Sequence, residues 1–581
     1  MARTANIKNW EVMAAAPSRL VSELRSIPEL SEVPEVVIQL LYNRGVTSAQ
    51  EMIDFLAAEP PPPADPFILR DIEKGVQRLL RAIDNQELIA VYGDFDVDGI
   101  TSVVLMTEVL KAMGAKVIPR IPHRVKEGYG LHRKAVERLA ARGVSVIVTV
   151  DCGIGAENEV EFAQSSGIDV IVTDHHQLTR TVPPAYAVIN PRQPDCDSTF
   201  KDLAGVGVAF KLAQGLLRRR APVDAAGPAG LEARLLDLVA LGTIADVAPL
   251  VGENRTLVRR GLAALNQTER LGLREMANLA GVKMGSITTT TVSFVLGPRL
   301  NAAGRLANAM GSFKLLTAKS PEQARNLAQR LEDINAERQR LTLEALARAR
   351  EEIAGLREHN KVFVLTQGAY PAGIVGLIAG KLAEEYYRPV LVLELGESES
   401  RGSARSIAEL DITEALTTCH DLLTRFGGHA QAAGFTIANK NLDAFRCRVE
   451  DFINSRLEGV DLEPRLLIDC ELPLQQLDWA TFWAVNRLSP FGFGNQNPVF
   501  LSRRVRVIDR RLVGRDVAKH LRLKLHDGRR QWAAIGFNLG EELTSIPQYI
   551  DIVYCVVPNE WNGTTSLDLQ IKAWRAHESS A

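Results

Sequence analysis

The chain has 581 residues, is 46% hydrophobic and 24% charged, and carries a formal net charge of −2. That length is too great for one hydrophobic core and predicts three or four domains, while the near-zero charge confines any nucleic-acid surface to a local basic patch. Its six cysteines (Cys152, Cys196, Cys419, Cys447, Cys470 and Cys555) are scattered with no CxxC pair, which argues against structural zinc or a disulfide framework and for a reducing compartment.

The opening "MARTANIKNWEV" has no signal-peptide apolar region, and no apolar run is long enough to span a bilayer. The expected setting is the cytoplasm, with no membrane contact. Residues 1–70 read as a helical segment running into "EPPPPADP" (Glu59–Pro66), a stiff extended connector. From Leu88 to about Asp246 the apolar runs "LIAVYG", "AKVIPRI", "VSVIVTV" and "DVIVTD" alternate with helical stretches such as "HRKAVERLAARG" and "GAENEVEFAQSSG". That rhythm predicts an α/β domain with a mostly parallel sheet.

"RRRAPVDAAGPAGLEAR" (Arg218–Arg234) breaks the rhythm and reads as a flexible surface excursion. The run Leu331–Ile353, charged on most faces and free of Gly and Pro, suits a long solvated helix bridging two lobes. A second, smaller α/β region follows, through "KVFVLTQ", "RPVLVLEL" and "GFTIA" to a helix near Leu442–Leu457. From about Leu466 to Ala573 short strand-like runs dominate, which favours a small C-terminal β-barrel or sandwich.

Acidic residues and histidines collect at the predicted strand ends. Asp94, Asp96 and Asp98 follow "LIAVYG", Asp151 follows "VSVIVTV", Asp174, His175 and His176 follow the next strand, and Asp246 ends a helical run. Open parallel sheets bind ligands beyond the carboxyl ends of their strands. Carboxylates crowded there repel one another unless cations sit among them. Oxygen ligands with one or two imidazoles suit two Mn²⁺ or Mg²⁺ ions, and a carboxylate that bridges a pair of ions explains the crowding. An EF-hand matches the first half of "DFDVDG", but its twelfth position is Leu105 and a strand, not a helix, precedes it. An Asp-rich helix cap would explain one such cluster, not four.

The strings "GDFDVDGITS", "VTVDCGI", "VTDHHQ" and "LGTIADVAPL" resemble, in order and context, the four motifs of the DHH phosphoesterase family. "GPRLNAAGRL", "GSARSI", "GGHAQAAGF" and "SPFGFGNQNPVF" resemble its RecJ branch of single-strand-specific exonucleases, from about Asn43 onward. The resemblance implies a DHH catalytic domain (71–325), a connecting helix (326–355), a DHHA1 substrate-binding domain (356–460) and an OB-fold (461–581). It implies 5′-to-3′ release of mononucleotides from single-stranded DNA in repair and recombination, with a single-strand-binding protein and a helicase as partners and the chain a monomer.

By the same resemblance Asp96 and Asp151 hold one metal ion, and Asp98, Asp151, His175 and Asp246 the other. Asp94 is a ligand or lies just behind the ligands. Tyr92 stands where some relatives have a further His ligand, which implies a thinner first site. His176 lies against the scissile phosphate, Asp174 orients the imidazoles, and a metal-activated water attacks. Gly428 and His429, Ser403 and Arg405, and Arg299, Asn301, Arg305 and Arg124 are the expected strand-binding residues, with Ser403 and Arg405 at a terminal 5′-phosphate. The basic runs "RRVRVIDRR" and "KHLRLKLHDGRRQW" are the expected single-strand track of the barrel. All metal ligands precede Pro249, so removal of residues from about Leu466 is expected to weaken long-strand binding more than chemistry on short strands. Other DHH activities (nano-RNase, cyclic-dinucleotide phosphodiesterase, pyrophosphatase) lack the barrel, and a non-catalytic DNA-binding scaffold would have lost the ligands present here.

Overall fold

Four apolar runs from the first α/β region, with a fifth at Ala187–Ile189, form one parallel sheet in a computed structural model that describes residues 9–59, 61–124, 126–178, 181–222, 227–356, 360–514, 519–561 and 563–578. The strand order is Lys116–Arg120, Leu88–Gly93, Val144–Val150, Asp169–Thr173, Ala187–Ile189, with every neighbouring pair parallel. Alternate side chains feed two cores. Ile89, Val91, Val146, Val148 and Val150 pack with helices Ile72–Asp84, Val97–Ala112 and Gly205–Arg219, while Ala90, Tyr92, Ile147 and Val170 pack with helices Arg133–Ala140 and Glu157–Ser165. Burial on both faces is why the central strands Leu88–Gly93, Val144–Val150 and Asp169–Thr173 are nearly unbroken apolar runs. Going from Leu88–Gly93 the chain first adds a strand on one side and then one on the other, so the order reverses between Leu88–Gly93 and Val144–Val150.

The chain divides into two units. The first comprises residues 59–341 and, far along the sequence, 490–496. The second comprises residues 1–58, 342–489 and 497–581. The division falls within helix Pro321–Ala354, which is longer than the sequence pattern predicts and buries one face of small residues, including Ala324, Ala328, Ala345 and Ala349. Of the expected surface excursion, residues 223–226 lie outside the described residues, but from Gly227 onward it is the start of helix Gly227–Ala245. Its Gly and Pro stand in the first turn of that helix, where Pro is tolerated because the first N–H groups have no intrahelical partner.

In the second unit a five-stranded sheet runs Leu423–His429, Ala432–Ala438, Glu399–Arg405, Val390–Glu394, Phe363–Leu365, with helix Leu442–Arg456 against it. The C-terminal strands form a six-stranded sheet in which Phe500–Val513 pairs with both His520–His526 and Tyr549–Trp561, closing a barrel. The N-terminal segment is not wholly helical. Asn9–Val12 forms a strand parallel to Arg465–Ile468, a pairing that so short a polar stretch does not advertise. All six cysteines are free thiols. Among the described residues, no helix is long and apolar enough to cross a membrane.

Candidate metal centre

The reversal in strand order is a crevice at the carboxyl ends of the sheet, and the expected acids converge on it. Asp94 directly follows Leu88–Gly93, and Asp151 follows Val144–Val150 with φ +60°. Asp96 caps helix Val97–Ala112, accepting the Gly99 N–H at 3.1 Å. Asp98, in that helix's first turn, is 1% exposed and accepts the N–H groups of Gly205 (2.7 Å) and Val206 (2.8 Å) at the start of helix Gly205–Arg219. The positive end of that helix helps hold the charge. A Cβ on Gly205 would lie 2.6 Å from Asp151 Oδ1, so only glycine lets this helix come so close.

His175 Nε2 lies 3.1 Å from Asp151 Oδ1 and 3.9 Å from both Asp98 Oδ2 and Asp246 Oδ2. Three overlapping groups, Asp94–Asp96–Asp151, Asp98–His175–Asp246 and Asp151–His175–His176, each bring one ligand atom per residue within 4.8 Å. Asp151 belongs to two of them. Burial, followed by the charge of neighbouring acids, pushes Asp98 up to about 7 and Asp94, Asp151 and Asp246 well above the usual carboxylate range. Oδ1 of Asp94 and of Asp151 are buried and accept no hydrogen bond. Buried carboxylate oxygens without donors, beside an imidazole, are the ligand set of hard divalent cations.

Asp174 is set apart from the other acids by its partners. Although burial opposes ionisation, bonds from the His176 ring (2.8 Å) and the Ile154 N–H (2.9 Å) and the nearby imidazole charge hold it at about 2. It also accepts the N–H groups of His175 and His176. Burial disfavours a charged His176, but the Asp174 bond and the surrounding acids outweigh it and raise the ring to about 9. Asp174 takes Nδ1–H, which leaves Nε2 as the nitrogen that can meet a substrate atom.

The structure adds Tyr129, which sequence reasoning missed. Its hydroxyl lies 3.1 Å from His176 Nδ1 and 3.4 Å from the Asp151 carbonyl, and its ring meets His176 edge-on. The only signal is its place between two glycines in "EGYGL". Tyr129→Phe, which removes the hydroxyl's contacts with the Asp151 carbonyl and the His176 ring, is expected to lower turnover by roughly 3–10-fold with strand affinity unchanged, read by single-turnover hydrolysis beside equilibrium binding. Tyr92 does not reach the cluster, because it is buried and its hydroxyl donates to the Gly130 carbonyl at 3.0 Å.

The expected strand-binding residues are placed unevenly. Arg299 is held bidentately by Glu332 and donates to the Val295 carbonyl. Asn301 accepts the Val97 N–H at 3.1 Å and so fixes the start of the helix that carries Asp98. Asn301 thus supports the acidic loop, while Arg299 is tied to Glu332 of helix Pro321–Ala354. Arg305 is half-buried at the end of the same helix, Gly297–Leu306. The Arg124 guanidinium lies 4.6 Å from the Phe95 ring. In the second unit, Arg405 donates to Ser403 Oγ (3.0 Å), beside Gly376 in the first turn of helix Val375–Tyr386. Gly428 and His429 are exposed in the edge strand Leu423–His429, and the hairpin turn falls after them at Ala430–Gln431. On the barrel, Arg503, Arg522 and Arg530 are engaged by Glu471, Asp568 and the Leu477 carbonyl, while Arg506, Arg511 and Lys524 are exposed.

Residues 88–243 match the DHH family N-terminal domain, 359–455 the DHHA1 domain and 468–573 the RecJ OB domain. The chain is 36% identical to a single-stranded-DNA-specific exonuclease RecJ of Bacillus subtilis, over 98% of this chain and 71% of that protein. It is 34% identical to the Escherichia coli protein of the same name, over 95% and 97%. A crystal structure of RecJ with Mn²⁺ from Thermus thermophilus is similar, with a TM-score of 0.82 at 30% identity, over 98% of this chain and 80% of that one. The same organism's RecJ with Mg²⁺ gives 0.76.

Proposed function

The chain belongs to the RecJ family of single-stranded-DNA-specific exonucleases, and from that premise we propose that it degrades single-stranded DNA from the 5′ end, releasing mononucleotides with Mn²⁺ or Mg²⁺. The observation that carries the reading is the set of overlapping carboxylate and imidazole groups at the sheet's reversal. Asp94, Asp96 and Asp151 would hold one ion, and Asp98, Asp151, His175 and Asp246 the other. Two ions so held supply charge neutralisation and water activation to phosphodiester hydrolysis. His176, anchored by Asp174 through Nδ1, would turn Nε2 toward an oxygen of the scissile phosphate. Tyr129 and Asp174 keep that ring from turning.

Ser403, Arg405 and the first turn of helix Val375–Tyr386 suit a terminal 5′-phosphate, since a guanidinium, a hydroxyl and helix N–H groups are all donors. Arg124 and Arg305 would meet the strand on the first unit. The repair and recombination setting, the cytoplasmic location, the single-strand-binding protein, the helicase and the monomeric state are carried over from the family.

The test is labelled single strands of both polarities, with Mn²⁺ and with chelator. Mononucleotides released from 5′ ends only when metal is present is the expected result. Digestion from 3′ ends would overturn the polarity, and turnover in chelator would overturn the metal reading.

Exposed Arg506, Arg511 and Lys524 give the barrel its sequence-independent grip. Replacing all three by Ala is expected to weaken binding of long strands and to flatten the dependence of log affinity on log salt by about 0.7 for each phosphate that is no longer neutralised. An unchanged slope would show that the strand does not follow this face. Point variants are needed because truncation from Leu466 would also remove residues 490–496, which belong to the first unit. Such a truncation reaches the metal segment and cannot separate binding from chemistry.

A further inference from the structure

Val247 directly follows the ligand Asp246 and has φ +59°, a conformation that a β-branched residue rarely adopts. It is 62% exposed, so core packing does not hold it there. Strained backbone persists only where its surroundings over-determine it. On one side helix Gly227–Ala245 fixes the chain, since the N–H groups of Asp246, Val247 and Ala248 donate to Gly242, Ile244 and Thr243. On the other side stands the loop Pro490–Gln496. The Leu250 N–H donates to the Phe493 carbonyl at 2.7 Å, and the Thr289 hydroxyl donates to the Phe491 carbonyl at 2.7 Å. A Cβ on Gly492 would lie 2.6 Å from Leu250 Cδ1, so the loop is pressed against the segment. The loop is itself stiffened: Gly492 and Asn495 exchange backbone bonds, and the buried Asn495 side chain donates to the Pro490 carbonyl at 2.9 Å.

We infer that residues 490–496 are a positioning element for the second metal ion, clamping Pro249–Leu250 so that strained Val247 presents the Asp246 carboxylate to Asp98 and His175. This rests on the metal reading of the proposed function. The "SPFGFGNQNPVF" string, which lies outside the strand-binding track, thereby acquires a role at the metal.

The test is Mn²⁺ binding by calorimetry on the full-length chain, with circular dichroism and melting to confirm the fold. Asn495→Ala, and the milder Thr289→Val should the first fail to fold, are expected to weaken one of two Mn²⁺ sites by about 10–100-fold, as for other groups that orient metal ligands. Gly adopts positive φ without strain. Combined with either loop variant, Val247→Gly should therefore restore most of the lost affinity. Wild-type affinity in folded loop variants would overturn the inference, as would failure of Val247→Gly to restore it. Asp246→Ala separates the two levels. If it keeps both sites, the metal assignment falls and the inference with it; if it loses one site while the loop variants lose nothing, the inference alone falls.

Discussion

If Asp151 bridges two ions as proposed, Asp151→Asn is expected to cut hydrolysis of a labelled single strand by roughly 10³-fold or more, because a carboxylate so shared would take with it several kcal/mol of transition-state stabilisation. Asn is the right replacement. Asp151 sits at φ +60°, a region that Asn tolerates and Ala enters only with strain. Strand affinity in the absence of turnover should change little, since the barrel arginines and the Ser403–Arg405 pair are untouched. A second readout has the opposite sign. The acids around Asp151 are buried and mutually repelling, so in chelator the Asn variant should melt higher than the wild type. Added Mn²⁺ should then raise the wild-type melting temperature more than the variant's. Turnover within tenfold of wild type would remove Asp151 from the bridging position.

Arg405→Ala is expected to weaken binding of a 5′-phosphorylated strand by about 1.5–3 kcal/mol, the range of a hydrogen bond to a charged group, and to leave a 5′-hydroxyl strand nearly unaffected. A terminal phosphate carries more charge than a backbone diester, and a guanidinium can grip it with two parallel donors. Ser403 Oγ already accepts from Arg405, which holds the guanidinium in place. Competition binding with the two strands decides it. Equal losses on both would show that Arg405 contacts the backbone instead of the end.

The central strands of the parallel sheet are legible in sequence because strands buried on both faces read as apolar runs, and Leu88–Gly93, Val144–Val150 and Asp169–Thr173 are each followed by an aspartate. The barrel strands are legible instead as short runs that alternate buried and exposed residues. Asp94, Asp96, Asp98, Asp151, His175 and Asp246 are brought together as expected. Local pattern cannot carry pairing across long separations. Nothing near Asn9 announces Arg465, and nothing near Pro249 announces Phe493. Single arginines are hard to read for a related reason, because nothing near Arg299 announces Glu332, on another helix, which holds it. Tyr129 escapes notice because its role lies in one hydroxyl beside His176, which no periodicity encodes.

The strand Asn9–Val12 has a bearing on how the protein is made. Its partner, Arg465–Ile468, leaves the ribosome only after most of the chain has been translated. At synthesis rates of about 5–20 residues per second, the delay is on the order of half a minute to a minute and a half. During that time Asn9–Val12 has no partner to zip onto, and a chain stalled before Arg465 never acquires one. This pairing forms only once translation has passed Ile468, and a bulky fusion placed just ahead of Asn9 would hinder a late step of folding and not an early one.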